Sequence, residues 1–84
     1  MYYVYVLKGD LSQRIYVGYT QDLRKRIAEH EAGKNYSSSR MKMRELVYYE
    51  AYKSKDDAKR REKALKHHGS AINHLKKRMK ESLR

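Results

Sequence analysis

Apolar positions alternate at the start of this chain, switch to helical spacing, alternate again, and then keep helical spacing to the end. Residues 2–8, YYVYVLK, are β-branched and aromatic, which suits a strand. Alternation puts Tyr3, Tyr5 and Leu7 on one face and Tyr2, Val4 and Val6 on the other. Gly9, Asp10 and Ser12 mark a turn, and residues 14–19, RIYVGY, read as a second strand paired to the first in a hairpin. Thr20 can cap a helix that has Asp22 in its first turn and runs to about Ala32, with Gly33 as its stop. At about 100° per residue, Leu23, Ile27 and His30 share one stripe with Arg26 at its edge.

Residues 34–44, KNYSSSRMKMR, are polar and serine-rich and read as a loop. Residues 45–53, ELVYYEAYK, form the third strand, with Leu46, Tyr48, Glu50 and Tyr52 set against Val47, Tyr49 and Ala51. SKDD at 54–57 is a variant capping box, and a helix follows to about His68. Gly69 ends that helix and Ser70 caps the next, where Ile72, Leu75, Met79 and Leu83 keep helical spacing. The order is ββαβαα: a small α+β domain with a three-stranded antiparallel sheet flanked by helices, expected to span residues 1–84 as one unit.

Composition narrows the function. Lys and Arg number 21 against 10 Asp and Glu, a formal charge of +11, which favours a nucleic-acid partner through phosphate contacts and counterion release. No basic amphipathic helix carries bulky residues for lipid, and no run is long enough to span a bilayer, so a membrane partner is not expected. The N-terminus lacks the pattern of a signal peptide, and a chain without cysteine fits a reducing cytoplasm and excludes zinc–thiolate sites. All 9 aromatic residues are tyrosines, which pair an apolar ring with a hydroxyl.

Three side chains around residues 15–30, Tyr16, Arg26 and His30, could converge on one spot. Glu62 is oddly placed, within about 60° of both Ala58 and Leu65 on the inward stripe of its helix, where an unpaired charge is costly. Phosphodiester hydrolysis requires a base for water, positive charge at the phosphate and help for the leaving oxygen. A divalent ion on a single carboxylate and a neighbouring arginine can supply the last two. The plain alternatives are tyrosines packed in a core, a solvated arginine, a packed histidine, and Glu62 paired with Lys59 or Lys66 at helical spacing.

YVYVL at 3–7 followed by YVG at 16–18, with the helix DLRKRIAEH and REK around Glu62, resembles the GIY-YIG nucleases over nearly the whole chain. The resemblance implies an endonuclease that cuts DNA, with RNA less favoured, by one-metal in-line hydrolysis on branched, damaged or single-stranded substrates. It implies that Tyr5 and Tyr16 are the motif tyrosines, one of which orients or deprotonates the attacking water. Gly18 would turn the chain from strand into helix, Arg26 would contact the scissile phosphate and His30 could assist. Glu62 would be the single ligand of Mg²⁺ or Mn²⁺, and a protein partner could supply targeting. The chain departs from the pattern at Tyr3, which replaces the first motif's glycine, and at Tyr19, where some members have lysine. Two other classes remain: a non-catalytic nucleic-acid-binding module that kept the fold, with tyrosines stacking on bases, and an interaction protein using Tyr2, Tyr49 and Tyr52 as a patch.

Overall fold

In the computed structural model, which describes residues 1–9, 14–31 and 43–84, the order is β1 (Tyr2–Gly9), β2 (Ile15–Thr20), α1 (Leu23–Glu31), β3 (Met43–Tyr52), α2 (Lys55–His67) and α3 (Gly69–Arg78). This is the ββαβαα order expected. The three strands form one antiparallel sheet in the order β2-β1-β3, so β1 is central and both others are edges. The turn at Asp10 and Ser12, the helix stop at Gly33 and most of the serine-rich loop fall outside the described residues.

The alternation of β1 decides where the core lies. Val4 and Val6 face α2 and α3, where Val17, Ala58, Leu65, Leu75 and Met79 close a buried cluster. Tyr5 and Leu7 face α1, where Tyr16, Leu23, Ile27 and Leu46 pack around them. A central strand buried on both faces needs apolar side chains at every position, which YVYVL supplies.

Four details depart from the sequence pattern. Asp22, not Thr20, caps α1: its Oδ1 accepts the Lys25 N–H at 3.1 Å and its carbonyl accepts the Arg26 N–H at 3.1 Å. Thr20 Oγ1 instead accepts the Asp22 N–H at 3.0 Å and shapes the approach to the helix. In β3 the register steps from Tyr48 opposite Val6 to Leu46 opposite Leu7, so Val47 is an extra residue. That bulge carries Leu46 to the α1 face, away from Tyr48 and Tyr52, and packs Val47 with the α2–α3 core. Gly69 does not end α2 and Ser70 does not cap α3; an extended His68 separates the helices, and Gly69 is the first residue of α3.

Gly18 is not the turn residue either. It lies within β2 opposite Tyr5, and the strand continues to Thr20. A Cβ built at Gly18 would come closer than 3.0 Å to Cζ, Oη and Cε1 of Tyr5, so the glycine is the floor on which that ring lies.

Ser54 caps α2, accepting the Asp57 N–H, and the helix is tied to β3 by one charged node. Arg61 donates from Nε to Glu50 Oε1 at 3.0 Å and from Nη2 to Oε2 at 3.1 Å, while the hydroxyls of Tyr48 and Tyr52 donate to the same carboxylate. Burial pushes the Glu50 carboxyl up, but Arg61 and the two tyrosines outweigh it and hold it below the usual range. In return, burial and Glu50 raise the Tyr52 phenol to about 12.

Two outcomes follow from this packing. Because the folded Glu50 pKa is depressed, its contribution is complete above the unfolded carboxylate value and is lost as pH falls through the folded value. Urea unfolding of the protein and of Glu50→Gln between pH 7 and pH 3 should show the variant less stable at neutral pH by about 2 kcal/mol, with the gap closing in acid; a constant gap would refute the charged node. Gly18→Ala should cost about 1–3 kcal/mol by overpacking against Tyr5. The same change in a Tyr5→Leu background should cost clearly less, and equal costs would show that the ring is not what the methyl meets.

Candidate active site at the edge of the sheet

Tyr5 is the centre of the site. It reaches from the middle strand across Gly18 toward the β2 edge and is only 1% exposed. The half-buried Tyr16 ring lies beside it, with centroids 6.3 Å apart and planes tilted by 38°. Burial first, and then Tyr16, push the Tyr5 phenol far above its ordinary pKa; Arg26 pulls it back, while Glu62 and a hydrogen bond shared with Tyr16 raise it further. Arg26 from α1, Glu62 from α2 and Tyr16 from β2 therefore all act on one hydroxyl from β1.

Each neighbour has its own setting. Arg26 is 39% exposed, and its Nε meets Glu29 Oε1 at 3.2 Å along the helix. Glu62 is 20% exposed and holds Lys66 Nζ at 2.9 Å. Of the two lysines that helical spacing offered as partners, Lys66 is the one that pairs; Lys59 instead lies 4.7 Å over the ring of Tyr19. The backbone of His30 belongs to the last turn of α1, but its side chain lies outside the described residues. The structure thus packs Tyr16 against Tyr5 over Gly18, with the charges of Arg26 and Glu62 bearing on the Tyr5 phenol from the two flanking helices.

The two departures at Tyr3 and Tyr19 have separate surroundings. Tyr3 meets Tyr49 edge to face at 6.1 Å. Tyr19 stacks on Tyr2 at 6.5 Å, and its buried hydroxyl has no hydrogen-bond partner among the described residues. Beside Tyr19 runs a groove of about 370 Å³ lined by Lys25, Arg26, Lys55 and Lys59, with Asp22 and Glu29. Composition showed only an excess of positive charge; that these lysines, from two helices, meet beside Arg26 could not be read from it. Glu50 and Arg61 were equally hidden, since 11 positions separate them and no local spacing links them.

The donor set suits a hard cation. Glu62 offers partly buried carboxylate oxygens, and Mg²⁺ or Mn²⁺ is commonly held by one or two carboxylates with the remaining positions filled by water. Among the described residues no three His, Asp or Glu side chains gather as a metal cage; an ion held by Glu62 would take the place of Lys66. Among the same residues no helix is long and apolar enough to cross a membrane.

A family model described as the GIY-YIG catalytic domain matches residues 1–77. A UPF0213 protein of Lactiplantibacillus plantarum is 38% identical over 73 residues, covering 83% of this chain and 71% of that one. A UPF0213 protein of Streptococcus pyogenes is 44% identical over 57 residues, which take in 67% of this chain and 61% of that protein, under two thirds of its length. No solved structure matches the chain. With a family model covering nearly all of its length and a three-stranded antiparallel sheet with helices that fits it, the chain belongs to the GIY-YIG family, a nuclease superfamily.

Proposed function

We propose that the protein is a metal-dependent endonuclease that hydrolyses phosphodiester bonds in DNA by in-line attack of water. The observation that carries this reading is the buried Tyr5 hydroxyl, on which side chains from β2, α1 and α2 act together. Tyr16 packs against that ring, and a guanidinium and a carboxylate bear on it from the two flanking helices.

The residues divide the work by burial and charge. Tyr5, kept protonated by its surroundings, donates a hydrogen bond and orients the groups at the reacting centre. Tyr16, the more exposed of the two phenols, would take the proton of the attacking water. Arg26 presents planar N–H donors to the phosphate and offsets charge that builds in the transition state. Glu62 would hold Mg²⁺ or Mn²⁺, which when bound supplies Lewis-acid stabilisation to the phosphate and leaving oxygen. His30 follows Arg26 by one helical turn and would assist from there. A single site of this kind cuts one strand per encounter, and a protein partner could direct it to its target.

The test is cleavage of branched and single-stranded DNA by the purified protein with Mn²⁺ or Mg²⁺. Arg26→Ala and Glu62→Ala should each lower the rate by about 10²–10³-fold or more while circular dichroism and melting stay near those of the parent. Tyr16→Phe should cost more than Tyr5→Phe if Tyr16 takes the proton. Cleavage that survives both Arg26→Ala and Glu62→Ala would discard the assignment, and salt-dependent binding without cleavage under every metal would leave a binding module.

A further inference from the structure

A second groove, of about 610 Å³, lies between α1 and β3 and takes no part in the chemistry above. Its walls are largely apolar: Leu23, Ile27 and Leu46 line it together with Tyr3 and Tyr49. Tyr49 is the notable residue, because it is a large aromatic side chain 53% exposed on an edge strand. The other β3 tyrosines are committed, since Tyr48 and Tyr52 hold Glu50 on the opposite face. Tyr3 meets the Tyr49 ring edge to face, which steadies it, and the 53% exposure of Tyr49 leaves ring surface for a flat partner.

What adjoins this groove indicates its occupant. Gln21 and Asp22 line both it and the basic groove of Lys25, Arg26, Lys55 and Lys59, so the two meet at the N-terminal end of α1. The acidic groups there are already engaged: Asp22 caps the helix and Glu29 pairs with Arg26. Lys25, Lys55 and Lys59 form no ion pair among the described residues. A cationic channel that opens onto an apolar aromatic shelf matches a nucleotide, whose phosphate is charged and whose base is flat and apolar on its faces.

We infer that Tyr49, steadied by Tyr3, is a stacking shelf for an unstacked base of the nucleic-acid strand whose flanking phosphates lie along Lys25 and Lys59. The proposal deepens the nuclease reading by naming a second nucleotide subsite. A base inside a duplex is already stacked on both faces, so the shelf serves only a nucleotide that is unpaired or turned out of the helix.

Binding of a fluorescein-labelled single-stranded oligonucleotide and of a blunt duplex, both in EDTA, tests this without any cleavage, so failure of the nuclease reading would not affect the outcome. Tyr49→Ala should weaken single-strand binding by about tenfold, with the salt slope unchanged and duplex binding within about twofold of the parent. Tyr49→Phe should bind like the parent, because stacking uses the ring and not the hydroxyl. Lys25→Ala combined with Lys59→Ala should weaken both substrates and flatten the salt slope by about 0.7–0.9 per lost phosphate contact. Equal effects of Tyr49→Ala on both substrates, no effect on either, or a Tyr49→Phe as weak as Tyr49→Ala would overturn the proposal.

Discussion

Glu50 carries its charge on a sheet face covered by two helices, and Arg61 together with two tyrosines is what keeps that charge tolerable. A half-buried carboxylate left alone would lose more by desolvation than the fold could return, so this one accepts four donor atoms around its two oxygens. The bidentate bond from Arg61 also sets the rotation of α2 about its own axis. Successive residues on a helix turn by about 100°, so once Arg61 is held at β3, Glu62 is carried round to the other flank of the Ala58–Leu65 stripe. The position of the proposed metal-binding carboxylate thus depends on an ion pair that belongs to the scaffold.

A second constraint acts through Gly18. The missing side chain opposite Tyr5 lets its ring lie across β2. Its ring fills core space, and its buried hydroxyl lies over Gly18 beside Tyr16. One residue serves packing and, in the proposed reaction, chemistry, and the same burial that stabilises the ring disfavours its phenolate.

These two constraints set the candidate site at an edge of the sheet, beside the groove between α1 and α2. The core is divided across both faces of β1, so neither α1 nor α2 can move without disturbing buried contacts of the central strand. Positive charge on the two helices then borders the site, where it would steer a polyanion toward Arg26.

Element order and type were legible because the periodicity is local: alternation in YVYVL and helical spacing in Leu75 and Met79 arise from the chain's own geometry. The site residues stood out by type and order, Tyr5 and Tyr16 on paired strands and Glu62 on an inward stripe. What escaped the sequence depends on tertiary partners. The extra residue at Val47 shows only when β3 is laid against β1, because a strand has no reason of its own to break its alternation. Gly18 reads as a turn in isolation, and only the ring from the neighbouring strand makes it a floor. Whether Glu62 takes Lys59 or Lys66 depends on Tyr19, which draws Lys59 away over its ring. Local geometry therefore set the elements and their inward faces, while their mutual rotation, and with it the meeting of Tyr5, Tyr16, Arg26 and Glu62, came from long-range contacts such as Glu50–Arg61 that no spacing along the chain encodes.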